Sequence, residues 1–236
     1  MEIVKGKFIQ RIKRTRNIES FRFSLDKKVN FIPGQFLQVI FDEDTSSNKE
    51  LNKYLSFSSS PAKDYIEVTK RLSESQFSQK LKDLKIGDEV SLKAPFGNCV
   101  YKDEYKKIGF LIGGIGITPV ISIIEYIVDK KLDTDVLLLY SNKTEEDIAF
   151  KKELDSWRSV NSNIKAFYTI TECEPADKNC IAGRIDKNLF INKIKDYCER
   201  MFFIFGPPRM VGAMQNLCLE TGCSKDCVKA ENFVGY

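Results

Sequence analysis

The sequence predicts two domains: an antiparallel β-barrel over residues 1–104, then an α/β domain with a parallel sheet flanked by helices over 105–236. Three observations carry this. The first hundred residues hold short β-rich stretches separated by turn signals, the rhythm of a small barrel. After about Tyr105, apolar runs of strand length alternate with stretches of helical period, as in a parallel sheet covered by helices. A glycine-rich turn, Gly113-Gly114-Ile115-Gly116-Ile117-Thr118-Pro119, joins a strand to a helix where the second rhythm begins.

In the first half, strands are expected at Ile3–Ile12, Glu19–Leu25, Phe36–Phe41, Tyr54–Ser58, Tyr65–Leu72 and Glu89–Lys93. Pro33-Gly34 and Gly87-Asp88 are turn pairs, and one helix is expected over Ser75–Leu84. The polar stretch Asp42–Asn52 has no core-forming pattern and is expected to be a mobile loop. In the second half, strands are expected at Ile108–Ile112, Asp135–Tyr140, Ile164–Ile170 and Met201–Phe205. Helices are expected at Pro119–Asp129, Glu145–Arg158, Asp186–Tyr197 and Pro208–Thr221, with a last short strand near Asp226–Ala230.

The glycine turn is the chain's central feature. Past it, Val120, Ile121, Ile123, Ile124, Ile127 and Val128 recur at helical spacing. Thr118 suits the N-cap and Pro119 the first helical position. Uncovered amides in such a turn, with the partial positive charge of a helix N-terminus, seat a phosphate. A tight strand-to-helix turn with no ligand is the alternative. The spacing is not the GxGxxG dinucleotide fingerprint, so a different nucleotide fold is implied. Ligands of parallel sheets sit outside the carboxyl ends of the strands, where Ser141-Asn142-Lys143 and Gly206-Pro207-Pro208 also fall.

Composition narrows the chemistry. At 236 residues, 42% hydrophobic and 30% charged, the chain suits a globular protein of two modest domains. No apolar run reaches the roughly 20 residues that cross a bilayer, and the first residues carry no signal core, so a cytoplasmic protein is expected. Net charge is only +4, and no nucleic-acid partner is expected. The first 28 residues hold nine Lys/Arg against three Asp/Glu, a balance that suits either an acidic partner or solvated strand faces. Seven cysteines, an odd number, argue against a disulfide framework. Cys218, Cys223 and Cys227 lack iron–sulfur spacing and a fourth partner, so isolated thiols and no metal site are expected. Histidine is absent, which removes Ser-His-Asp triads, HExxH zinc sites and imidazole acid–base catalysis. Redox chemistry carried by a bound cofactor stays open.

Six motifs, in order, resemble those of the ferredoxin–NADP reductase superfamily. Pro33-Gly34-Gln35-Phe36 resembles PGQ(F/Y); Lys53-Tyr54-Leu55-Ser56 with Ser58-Ser59-Ser60-Pro61 resembles RxYS…SSP; Ala94-Pro95-Phe96-Gly97 resembles (G/A)PFG. Gly113 to Pro119 is similar to the GG(T/I)GITP turn, Phe205-Gly206-Pro207-Pro208-Arg209-Met210 to CGPPxM, and Glu231-Asn232-Phe233 to the Glu-x-aromatic ending. The resemblance covers nearly the whole chain.

It implies a flavin-binding barrel, with FAD expected ahead of FMN, and a nicotinamide-nucleotide domain using NADPH or NADH. Ser56 would offer its hydroxyl to flavin N5, Lys53 would face the flavin phosphates, and Leu55 would lie along the ribityl–isoalloxazine side. Val68, Thr69 and Lys70, up to Arg71, would line the flavin with backbone groups. Ser75, Gln76, Phe77 and Ser78 would cap the pyrophosphate from a helix start, a position that also suits an ordinary serine-rich cap. Phe233 would stack on the isoalloxazine beside a catalytic Glu231, although a lone phenylalanine is more often core filler. Gly113, Gly114, Gly116 and Thr118, with Gly206, Pro207 and Pro208, would hold the nicotinamide nucleotide. Ser141 and Lys143 stand where the family contacts a 2′-phosphate, which favours NADPH, with a solvated lysine as the alternative. Arg184 is a second candidate cation.

Three residues depart from the family pattern. Lys53 replaces an arginine, Leu55 a tyrosine, and Phe205 a cysteine beside the nicotinamide ring. With no ferredoxin-like domain expected at either end, electrons would pass from NAD(P)H through FAD to a separate ferredoxin, flavodoxin or iron–sulfur subunit. The alternatives are a reductase of free flavin, ferric chelates or quinones, a flavin subunit inactive outside a larger redox complex, and a nucleotide sensor without turnover.

Overall fold

The computed structural model describes residues 2–45 and 48–233. Ser46 and Ser47, inside the loop expected to be mobile, lie outside the described residues. The chain divides into two compact units, Met1–Tyr101 with Thr118–Asp129, and Lys102–Ile117 with Lys130–Tyr236.

In the first unit, β1 (Glu2–Lys13), β2 (Ile18–Leu25), β3 (Phe36–Ile40), β4 (Asn52–Ser56), β5 (Tyr65–Arg71) and β6 (Glu89–Phe96) pair antiparallel in the order β4-β3-β6-β1-β2-β5. A bridge between Phe57 and Val68 joins the two ends of that order, so the sheet curls into a barrel. Period-two alternation drives the curl. On β1, Val4, Gly6 and Phe8 are buried while Ile3, Lys5 and Lys7 face outward. The inward side chains, among them Phe8, Phe21, Phe23, Leu37, Val39 and Leu92, form one core. Helix α1 (Gln76–Asp83) adds Phe77 and Leu81 to it and starts at Ser75, whose side chain accepts the Ser78 N–H.

In the second unit, β7 (Lys107–Gly113), β8 (Asp135–Asn142), β9 (Ile164–Ile170), β10 (Cys180–Ala182), β11 (Met201–Gly206) and β12 (Val228–Asn232) form a parallel sheet in the order β10-β9-β8-β7-β11-β12. Its central strands are apolar on both faces, as a covered parallel sheet requires. The remaining helices are α2 (Ile117–Asp129), α3 (Lys151–Val160), α4 (Lys187–Lys193) and α5 (Pro208–Glu220). Most of α2 is counted with the first unit. No helix among the described residues is long and apolar enough to cross a membrane, and all seven cysteines are free thiols.

Several boundaries differ from the sequence reading. Thr118 is not an N-cap: a 3-10 turn over Gly114–Gly116 leads straight into α2, placing Thr118 and Pro119 in its first turn. Proline is tolerated there because first-turn amides have no partner within the helix. The helix expected over Glu145–Arg158 is interrupted. Burial draws Ile148, Ala149 and Phe150 out of helical register, and Phe150 takes a φ of 61° before α3 begins. Strand β10 was not expected, being three residues long beside polar Asp177-Lys178-Asn179. The last strand runs later than expected and takes in Glu231.

Candidate functional site

On the barrel, β4 carries Lys53, Leu55 and Ser56. Leu55 is buried in the barrel core, while Lys53 and Ser56 are half-buried. The following serines, Ser58, Ser59 and Ser60, are fully buried and bonded. Ser58 N–H donates to the Glu67 carbonyl at 2.8 Å, and its hydroxyl meets Thr69 Oγ1 at 2.7 Å. The Glu67 N–H donates to Ser59 Oγ at 2.9 Å. Beneath them the Glu67 carboxylate accepts from Arg14 at 3.0 and 3.2 Å and from Arg22 at 2.8 Å. The serine segment thus rests on a satisfied polar network rather than a greasy one.

On β5, Val68 belongs to the core and the Thr69 hydroxyl is taken by Ser58 and Ser20, so these residues would present backbone rather than side chains. Lys70 is buried, and burial together with the nearby Lys53 charge pulls its ammonium below the usual lysine range. The Lys70 ammonium donates to the Arg71 carbonyl at 3.3 Å, and an anion between it and Lys53 would relieve their repulsion. At the start of α1, Phe77 packs its ring 5.3 Å from that of Phe41. The Ser78 hydroxyl is held by the Ser73 N–H at 3.1 Å and by Ser75 Oγ at 3.0 Å. Exposed Gln76 donates to Glu50 at 3.2 Å. The Ser75 hydroxyl and the Ser78 N–H are thus engaged with each other within the cap.

In the second unit, the carboxyl ends of β7, β11 and β12 gather Gly113, Gly114, Gly116, Gly206, Pro207, Pro208, Glu231 and Phe233 on one rim. Gly114 has a φ of 52°, and its carbonyl accepts the Tyr140 hydroxyl at 3.0 Å. A Cβ on Gly116 would stand 2.3 Å from the Phe205 carbonyl oxygen, so only glycine fits. The close approach is to the backbone of β11, so packing of the turn against that strand already requires a glycine here. Phe233 N–H donates to the Gly206 carbonyl at 2.9 Å, and its ring lies 6.3 Å from the fully buried ring of Phe205. Glu231 pairs with Phe205 across β12, and burial pushes its carboxyl above the usual glutamate range.

Along the same edge, Ser141 is half-buried one residue before the end of β8 at Asn142, and Lys143 follows the strand. The Lys143 ammonium lies 2.7 Å from Glu172, both side chains being more than half exposed. Arg184 is exposed, and Thr118 is buried in the first turn of α2. Tyr140, Glu67 and Glu172 were missed from sequence, since each reads as an ordinary strand or loop residue. Asn142 reads in the sequence as part of a polar strand end; its side-chain amide is buried and meets no hydrogen-bond partner among the described residues.

The matches to known proteins agree with this geometry. Residues 5–101 match the oxidoreductase FAD-binding domain, and residues 110–216 match the oxidoreductase NAD-binding domain. The chain belongs to the ferredoxin–NADP reductase superfamily and is a FAD-dependent NAD(P)H oxidoreductase. It is 30% identical over 216 residues to NADH-cytochrome b5 reductase 1 of Dictyostelium discoideum, covering 89% of this chain and 74% of that protein. It is 28% identical to the glycine betaine monooxygenase reductase subunit of Chromohalobacter salexigens, covering 94% of this chain but 62% of that one. Its fold matches the cytochrome b5 reductase domain of Ulva prolifera nitrate reductase with a TM-score of 0.84 at 21% identity, covering 98% and 97% of the two chains.

Proposed function

We propose that this chain takes a hydride from NADH or NADPH onto FAD and delivers the electrons to a separate one-electron acceptor, an iron–sulfur protein or subunit, ferredoxin or flavodoxin. A bound flavin supplies the chemistry that converts a two-electron donor into single electrons. In this reading residues 1–104 hold the flavin and 105–236 the nicotinamide nucleotide. The observation that carries it is the match of residues 5–101 to a FAD-binding domain and of residues 110–216 to an NAD-binding domain, which Lys53 and Lys70 on the barrel and the glycine turn at Gly113–Gly116 on the sheet support.

Ser56 directs its hydroxyl to flavin N5, and Val68 to Lys70 line the ring with backbone groups. Ser75 to Ser78 hold the pyrophosphate through helix-start amides. Gly113, Gly114, Gly116 and Thr118, with Gly206, Pro207 and Pro208, hold the pyridine nucleotide. Phe233 covers the flavin face, and Glu231 supplies a carboxyl at the reacting edge. Phe205 fills the family's cysteine position with a ring that has no proton to give. For the coenzyme, the Lys143–Glu172 pair weighs toward NADH, because a carboxylate beside the ammonium opposes a 2′-phosphate.

A second reading, a flavin subunit dependent on a larger complex, draws support from the reductase-subunit relative and from Phe205. Steady-state assay of the isolated chain with NADH and ferricyanide separates the two. Turnover by the chain alone supports the autonomous reductase, whereas bound flavin that NADH leaves oxidised supports the subunit.

A further inference from the structure

Helix α2 is apolar through Val120, Ile121, Ile123, Ile124 and Ile127, all buried, yet it also buries Ser122 completely and half-buries Glu125. These two stand three residues apart and so share a face. Burying a hydroxyl and a carboxylate costs free energy unless each finds a partner. Both find theirs in the serine segment of the barrel. Ser122 Oγ donates to the Ser59 carbonyl at 2.8 Å, and Glu125 Oε2 accepts the Ser60 N–H at 2.7 Å. Lys63 closes the arrangement, 3.5 Å from Glu125 and 2.9 Å from Asp129.

The segment is therefore held from two sides. Ser58 and Ser59 are tied to β5 through Glu67 and Thr69, and Ser59 and Ser60 are tied to α2. Ser56 lies two residues before Ser58. An apolar contact would dock the helix as firmly, since buried charges are weak stabilisers. A directional acceptor on one backbone N–H instead fixes where the segment sits.

We infer that Glu125, assisted by Ser122, is a positioning residue that acts through the Ser59–Ser60 backbone to hold Ser56 in register with the flavin. The inference rests on the proposed flavin role of Ser56. Burial raises the Glu125 carboxyl above the usual glutamate range, with the Ser60 N–H and Lys63 opposing the rise.

The test is single-turnover reduction of the FAD-loaded protein by NADH, with the flavin absorption spectrum, for wild type, Glu125→Ala, Glu125→Gln and Ser122→Ala. Glu125→Ala should lower the limiting reduction rate about tenfold, a scale that slight misplacement of a reacting group readily reaches. NADH affinity should move little, and the main flavin band should shift. Glu125→Gln keeps an acceptor for the Ser60 N–H and should recover most of the rate. Ser122→Ala, the milder change, should lower the same rate in the same direction should Glu125→Ala not fold. Wild-type rate and spectrum in Glu125→Ala, or equal losses in the Ala and Gln variants, would overturn the positioning role while leaving the reductase intact. A wild-type chain that binds no flavin would instead overturn the function and the inference together.

Discussion

Tyr140 donates its hydroxyl to the carbonyl of Gly114 across 3.0 Å, fixing the one residue of the glycine turn that adopts a left-handed conformation. The same carbonyl also accepts the Ile117 N–H, so the Tyr140 bond ties the start of α2 to β8. A buried tyrosine in mid-strand thereby holds the turn proposed for the nucleotide.

Tyr140→Phe keeps the ring and removes the bond. A hydrogen bond of this kind is worth about 1 kcal/mol, so the Kd for NADH should rise about fivefold. Isothermal titration measures it, and an unchanged Kd would show that the turn holds its shape without Tyr140.

Ser56→Ala should retain FAD and slow its reduction, because the donor proposed for N5 is lost. Removing one such donor costs roughly a hundredfold where it faces developing charge. Stopped-flow reduction at the wild-type rate would remove Ser56 from the chemistry.

Coenzyme choice should lie with an exposed ion pair. Glu172→Gln frees the Lys143 ammonium and should strengthen NADPH relative to NADH, whereas Lys143→Ala should weaken NADPH and spare NADH. Exposed pairs are worth at most about 1 kcal/mol, so changes of up to about fivefold in the KM ratio are expected. Equal shifts for both coenzymes would show that neither residue meets the 2′ position.

Glu231 makes stability depend on pH. Its carboxyl titrates above the unfolded value because burial disfavours the charge. Between those two values the folded chain binds more protons than the unfolded one, so stability falls as pH rises through the window. Thermal unfolding of Glu231→Gln between about pH 4 and pH 7 should show a flatter profile than wild type. Parallel profiles would contradict the buried carboxyl.

The fold was largely legible in the sequence. Alternation on β1 and the unbroken apolar runs of β7, β8 and β11 each report burial directly. The glycine turn was legible because close approach to the Phe205 carbonyl leaves no room for a side chain. What escaped reading depends on distant contacts. Phe150 leaves helical geometry because the core claims its ring, and nothing within a few residues foretells that. Glu67, Tyr140 and Glu125 gain their roles from partners 45 to 65 residues or 26 residues away in sequence, which no local pattern encodes.

The most direct measurement is the visible absorption spectrum of the purified chain, followed by anaerobic titration with NADH and then NADPH. The account predicts flavin bands that bleach on addition of NADH. A colourless protein that takes up neither FAD nor FMN would contradict it.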